Sequence, residues 1–433
     1  MNRTSSAEIN EALVQSWAKK HVSSVAHRQK SLRDKRTEAV TPRLEKVLNA
    51  FEKERVGAQH FVSTTGYGHG DLGRDAIDRV FARVLGAERA AVRLQFVSGT
   101  HAIAVALFGV LRPGDQLLSV TGTPYDTLQE VFGMRGSGQG SLADFGVLYE
   151  ELPLDQNGEI DFFSLGKALE VPRRMVFIQR SCGYSWRPSL SIDTIKRICA
   201  FIHQKQPKCV CFVDNCYGEF VESKEPCDVG ADLIAGSLIK NLGGTIVPTG
   251  GYVAGRTDLV EKACFRLTSP GIGIDAGIGF DLNRLLLQGL FLAPQMVAEA
   301  LIGADLVLGV FEELGFAVQP SLAESRNDVI QAVQLGDPNA LQVVCKAFQR
   351  CSPVGAYLDP VPASMPGYEN DLLMAGGTFI DGSTSEFSAD APLRPPYNLY
   401  VQGGTHHSHL KIALIRAICE LGKAGFLDLP QTG

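Results

Sequence analysis

Val210-Cys211-Phe212-Val213-Asp214 and Gly236-Ser237-Leu238-Ile239-Lys240 are two short runs of mostly apolar and small residues, each ending in a charged residue. A strand covered on both faces reads as a continuous apolar run, so the first stretch, and residues 233–236 leading into the second, fit the interior of a parallel sheet with helices on either side. In that architecture ligands gather at the carboxyl ends of the strands, which is where Asp214 and Lys240 fall. Alone, neither residue means much: an Asp at a strand end is a common helix cap, and Ser-x-x-Lys arises by chance. Together they have a chemistry. A lysine amine condenses with an aldehyde, and a carboxylate beside a pyridine nitrogen keeps that nitrogen protonated, so that the electrons of a carbanion can flow into the ring.

Working outward, Phe96-Val97-Ser98-Gly99-Thr100-His101-Ala102 reads as a strand end and a small-residue turn leading into an apolar helix. The free N–H groups and positive dipole end of such a helix favour a phosphate, and Gly99 lets the backbone come close. The plainer reading is that Ser98 or Thr100 caps the helix. Tyr125, in Thr121-Gly122-Thr123-Pro124-Tyr125, follows a strand over 117–120 and can stack on a flat ring, although a lone tyrosine there also serves a turn or a core. An amine, a carboxylate, a phosphate turn and an aromatic point to pyridoxal 5'-phosphate.

The chain has 433 residues, 45% hydrophobic and 20% charged, enough for a large core in more than one domain. Its net charge of −6 gives no footprint for nucleic acid. Met1-Asn2-Arg3-Thr4 lacks the apolar core of a signal peptide and no apolar run approaches the length of a membrane span, so a cytoplasmic protein is expected. None of the ten cysteines forms a Cys-x-x-Cys pair, and Cys209, Cys211 and Cys216 read as reduced thiols on or beside an apolar strand. Residues 1–60 read as a helical arm with a stripe of Ile9, Leu13, Trp17 and Val22; residues 61–293 as a large cofactor-binding domain; and 294–433 as a long connecting helix, from Pro294, leading into a smaller α+β domain. Strands are expected over 116–120, 174–179, 209–213, 233–236 and 251–254, and helices over 71–85, 101–111 and 191–203. That alternation makes an α/β fold with a mainly parallel sheet.

The order of phosphate turn, aromatic, strand-end Asp and Ser-x-x-Lys resembles the fold type I pyridoxal phosphate-dependent enzymes. Thr65-Gly66-Tyr67-Gly68 with Gly73-Arg74-Asp75, Ile178-Gln179-Arg180-Ser181 with Gly183-Tyr184-Ser185-Trp186-Arg187-Pro188, and Lys240-Asn241 with Pro248-Thr249-Gly250-Gly251 are more specifically similar to the methionine gamma-lyase-like family named for aluminium resistance. One departure is Asn241-Leu242-Gly243-Gly244-Thr245, where a proline and another glycine would be expected. The resemblance implies a seven-stranded sheet, with Tyr217 at the cofactor's phenolic oxygen, Ser237 at its phosphate, and Arg394 at the substrate's carboxylate. It also implies that the Tyr67 loop, with Arg74 beyond it, crosses a subunit interface to the partner's site in a homodimer or homotetramer. Lys240, Asp214 and Tyr67 would be catalytic. His406, His407 and His409 have no carboxylate or thiolate at ligand spacing in the sequence and read as a helix start rather than a metal site, so no metal is expected. The expected activity is a carbon–sulfur lyase acting on a sulfur amino acid, like a methionine gamma-lyase or cystathionine beta-lyase. An aminotransferase, or a weakly catalytic stress protein retaining the fold, are the alternatives.

Overall fold

The apolar runs form the interior of one sheet in the computed structural model, which describes residues 11–136 and 139–428. Its seven strands are β1 (Arg89–Arg93), β2 (Gln116–Ser119), β3 (Leu148–Glu151), β4 (Met175–Gln179), β5 (Val210–Asp214), β6 (Leu233–Ser237) and β7 (Gly251–Gly255). They lie in the order β1-β7-β6-β5-β4-β2-β3. Strands β3, β2, β4, β5 and β6 pair in parallel, whereas β7 runs antiparallel to both neighbours. Every residue of β4, β5, β6 and β7 is buried, which is why each reads as a continuous run of apolar and small residues. The two strands absent from the expected set, β1 and β3, are the edges of the sheet. Leu148-Tyr149-Glu150-Glu151 alternates between exposed and half-buried positions, and Arg89 and Arg93 bracket only three apolar residues.

The connecting helix starts earlier than Pro294. It runs Asn283–Glu313, with Pro294 buried inside it, so a division at 293/294 cuts through the helix. Proline removes only its own N–H, and burial of the flanking turns holds the helix across that gap. The expectation of no apolar run near membrane-span length is corrected here, because this helix has the length and apolarity for one. Most of it is instead buried against the helices Glu11–Arg28, Lys30–Glu38, Val40–Lys53 and His407–Lys423. Beyond it, β8 (Ala317–Gln319), β9 (Ile330–Gln334), β10 (Leu372–Ala375), β11 (Ser388–Pro392) and β12 (Asn398–Gln402) form an antiparallel sheet in the order β10-β11-β12-β9-β8.

The arm helix Glu11–Arg28 buries Val14, Ala18, Val22 and Val25 against its own chain, in a core shared with Leu410 and Leu414. Of the expected stripe Val22 is buried, but Val14 and Ala18 take the places given to their neighbours: Leu13 is exposed and Trp17 half-buried beside His21, while Ile9 lies outside the described residues.

Candidate active site

Ser98, Gly99, Thr100, Tyr125, Asp214, Tyr217, Ser237 and Lys240 line one cavity of about 380 Å³. Asp214 and Ser237 end the neighbouring parallel strands β5 and β6, so the sheet itself sets their spacing. Lys240 follows β6 by three residues, in a non-helical turn. Its Nζ lies 3.5 Å from the centre of the Tyr217 ring. Tyr217 reaches that position through a left-handed backbone, with φ of +71°. A cation over an aromatic face is favourable, and this contact holds the amine in the cavity.

The departure after Lys240 leaves its loop well fixed. Asn241 Nδ2 donates to the Glu219 carbonyl at 2.8 Å, and Gly244 turns the chain with φ of +53°. A Cβ on Gly244 would stand 2.3 Å from the carbonyl oxygen of Gly289, so only glycine lets the loop lie against the long helix.

Asp214 is buried, and burial pushes its carboxyl up from the ordinary carboxylate range. The Cys216 N–H, which donates to its Oδ1 at 3.1 Å, opposes that shift, as do the charges of Lys240 and Arg187. Around the phosphate turn, Ser98 caps the helix Gly99–Val110 by accepting from the His101 N–H at 3.1 Å, so the capping reading holds for this hydroxyl. Gly99 and Thr100, whose N–H groups belong to the unpaired first turn of the helix, line the cavity. Gly99 is packed so tightly that an added Cβ would stand 3.1 Å from the Ser237 Cβ and 3.2 Å from the Cys216 sulfur. Thr100 and Thr127 share a hydroxyl–hydroxyl hydrogen bond of 2.8 Å at the same wall.

Tyr125 is fixed on several sides. Its N–H donates to Gln179 Oε1 at 2.7 Å, its hydroxyl is 2.6 Å from that of Tyr368, and its ring packs edge-on against Tyr184. Burial pushes the Tyr125, Tyr184, Tyr217 and Tyr368 hydroxyls up, so all four stay protonated at neutral pH.

Three expected residues lie outside the lining of this chain's cavity. Arg394 does not line the cavity: its Nη1 is 3.4 Å from Asp126 Oδ1 and its Nη2 donates to the Tyr184 carbonyl at 3.2 Å. The nearby carboxylate, invisible as a partner in the sequence, takes up its charge. Tyr67 is 79% exposed, stacks on His69 and lies outside its own chain's cavity. Arg74 is buried and holds the glycine loop, donating from Nη1 to the Gly68 carbonyl at 2.7 Å and the Gly277 carbonyl at 3.2 Å. His407 gains a carboxylate that sequence spacing did not show, since its N–H donates to Glu299 Oε2 at 2.9 Å and its Nδ1 is 3.2 Å from the same oxygen. His406 caps the helix His407–Lys423, as a helix-start reading requires.

The cavity also contains residues that the sequence reading gave no role. Gln179 and Tyr184 lay in segments already quoted, while Tyr368 and Asp390 come from the C-terminal part. Asp390 is buried in the middle of β11, and burial pushes its carboxyl up to about 6. The available signal was a charge flanked by Ala389 and Ala391 in a short strand of small residues.

The family described as methionine gamma-lyase matches residues 15–422. An uncharacterized protein, YnbB, of Bacillus subtilis is 47% identical over 389 residues, covering 89% of this chain and 92% of that protein. Among solved structures, a carbon–sulfur lyase involved in aluminium resistance from Clostridium novyi NT superimposes with a TM-score of 0.90 at 43% identity, covering 96% of this chain and all of that one. The pyridoxal-5'-phosphate dependent protein YhfS of Escherichia coli shares the fold, with a TM-score of 0.59 at 18% identity over 88% of this chain and 96% of that one.

Proposed function

The chain belongs to the methionine gamma-lyase family, and from that premise we propose that it is a pyridoxal phosphate-dependent carbon–sulfur lyase that eliminates a thiol from a sulfur amino acid. The observation that carries this reading is the meeting of Lys240, Asp214 and the Ser98-Gly99-Thr100 helix start in one cavity. The donor set fits the cofactor: an amine for its aldehyde, a buried carboxylate for its ring nitrogen, and a helix N-terminus with the Ser237 hydroxyl for its phosphate. Gly99, where a Cβ would meet Ser237 and Cys216, lets the helix start lie directly against the end of β6 that carries the Ser237 hydroxyl. Bound there, the cofactor supplies an electron sink for the charge that develops at the substrate's α-carbon.

The protein's own groups do the rest. Lys240 Nζ would hold the cofactor's aldehyde and is the amine placed to move the substrate's α-proton. Asp214 holds the proton on the ring nitrogen. Tyr217 keeps the lysine amine over its ring face. The Tyr125 and Tyr368 hydroxyl pair, protonated at neutral pH, offers a proton to the departing sulfur. Overall, the carbon–sulfur bond breaks with its electron pair on sulfur, and the amino acid plus water becomes a thiol, ammonia and a keto acid.

Incubating the purified protein with a panel of amino acids, and assaying thiol, ammonia and keto acid, tests the reading. Thiol with ammonia supports a lyase. Exchange that depends on an added keto acid would replace it with a transaminase, and no reaction across the panel would leave a catalytically weak protein.

Tyr67, exposed and outside the lining of its own cavity, supports a site completed by a neighbour, in a two-fold dimer or a tetramer of such dimers. Mixing inactive Lys240→Ala protein with inactive Tyr67→Phe protein is then expected to restore activity, because hybrid dimers regain one good site. No recovery after verified subunit exchange would show that each chain serves itself.

A further inference from the structure

Cys199 and His203 lie one turn apart on the helix Ile192–Lys205, at the spacing that puts two side chains on one helix face. Their partners stand at the starts of β5 and β6: Cys211 is the second residue of one strand, and Asp232 directly precedes the other. Both strands carry their cavity residues, Asp214 and Ser237, at the opposite end, so this group lies outside the proposed active site. His203 Nε2 is 2.9 Å from Asp232 Oδ2, and the Cys211 N–H donates to the same oxygen at 2.8 Å. The Asp232 N–H in turn donates to the Cys211 carbonyl at 2.9 Å, so the sheet fixes these two residues against each other. The Cys199 thiol hydrogen-bonds with the Cys211 thiol.

The ligand atoms of His203, Cys211 and Asp232 all lie within 4.8 Å of one another. A tetrahedral zinc ion with bonds of about 2.0–2.3 Å sets its ligand atoms roughly 3.3–3.8 Å apart, so side-chain shifts of about an ångström close the group on one ion. The donor types choose that ion. Thiolates with an imidazole and a carboxylate in a four-coordinate set suit zinc, whereas magnesium and calcium take oxygen ligands in larger number. Two thiolates and a carboxylate around a divalent ion leave one negative charge; Arg256 Nη1, 3.4 Å from Asp232 Oδ1, offsets it and leaves Oδ2 to the ion. Cys199 and Cys211 are fully buried, but the His203 side chain is 31% exposed and gives the ion a way in. The plainer account, a His–Asp pair beside two core thiols, explains the hydrogen bonds but treats the arrival of both thiols at that pair as coincidence.

We propose that Cys199, His203, Cys211 and Asp232 form a structural zinc site that ties the helix Ile192–Lys205 to the starts of β5 and β6. On binding, each thiol gives its proton to solvent and the imidazole carries its proton on Nδ1, so two protons leave for each ion taken up. Four protein ligands close the coordination sphere, which makes the ion a clamp on the fold rather than a catalyst. The site stands whether or not the elimination reading holds.

The test titrates holoenzyme, dialysed against a chelator and kept reduced, with Co2+, whose four-coordinate thiolate complexes absorb in the red, clear of the cofactor. Wild-type protein is expected to bind one ion per chain, with strong red absorption and a sulfur charge-transfer band, both erased by Zn2+. Cys211→Ser should weaken the charge-transfer band. His203→Gln changes a half-exposed position whose new amide can still donate to Asp232, so the fold is not at risk; its zinc affinity should fall by at least roughly tenfold to a hundredfold, the factor that even an outer partner of a ligand is worth. Zinc should raise the thermal midpoint of the wild type and not that of His203→Gln. Cys351→Ser, at a half-buried thiol outside the group, should change neither spectrum nor affinity. Absence of the four-coordinate cobalt spectrum overturns the proposal, and so does full-strength binding in either Cys211→Ser or His203→Gln. Cobalt bound without a sulfur charge-transfer band overturns it too, and moves the ion to other groups such as Glu299 with His406 and His407.

Discussion

Replacing Lys240 by alanine is expected to abolish the visible absorption of the purified protein and lower thiol release by at least about a thousandfold, since both attachment and α-proton transfer lose their amine. The fold should survive. Lys240 is half-buried, and its amine rests on one tyrosine face rather than on a buried ion pair, so the thermal midpoint should move little. Borohydride reduction followed by peptide mass analysis checks the assignment directly. Wild-type protein should carry the reduced adduct on the peptide containing Lys240, and the variant should carry none; an adduct at another lysine would overturn the role given to this one.

The second large effect belongs to Asp214→Asn. The amide oxygen can still accept from the Cys216 N–H, so the turn should keep its shape. A neutral amide cannot hold the ring nitrogen protonated, and turnover is expected to fall by on the order of a hundredfold or more while the adduct at Lys240 remains. Stability should move the other way. Because burial raises the pKa of Asp214, folding disfavours its ionised form. That cost is present above the raised value and disappears as the pH falls below the ordinary carboxylate value, so the gain from asparagine in cofactor-free protein should be largest at neutral and alkaline pH. Thermal melts of cofactor-free protein across pH measure it. Unchanged turnover would remove Asp214 from the mechanism, and a less stable variant at neutral pH would show that its carboxylate is structural.

The strand interiors and most of the cavity-lining residues expected at the site were legible in the sequence because each depends on local facts. Val210–Asp214 and Leu233–Ser237 must be apolar or small along their length since both faces are covered, and a residue at the end of such a strand has little choice of where to point. A helix start reads from Ser98 and Gly99 for the same reason. Edge strands escaped this logic, because Leu148–Glu151 answers to solvent on one side. Pro294 misled, because packing, not propensity, carries the Asn283–Glu313 helix through it.

What only the tertiary structure decided is where the charges found partners. Arg394 and Asp126 are 268 residues apart in sequence, yet meet at 3.4 Å, which gives the arginine a carboxylate partner within its own chain. Asp390 acquires its place in the same way, held by Tyr184 from the first sheet's side and Gln402 from the second. Hydrophobic periodicity is a property of neighbouring residues and is written along the chain. Neutralisation of a charge is a property of whatever the fold brings within a few ångströms of it, and no spacing in the sequence encodes that distance.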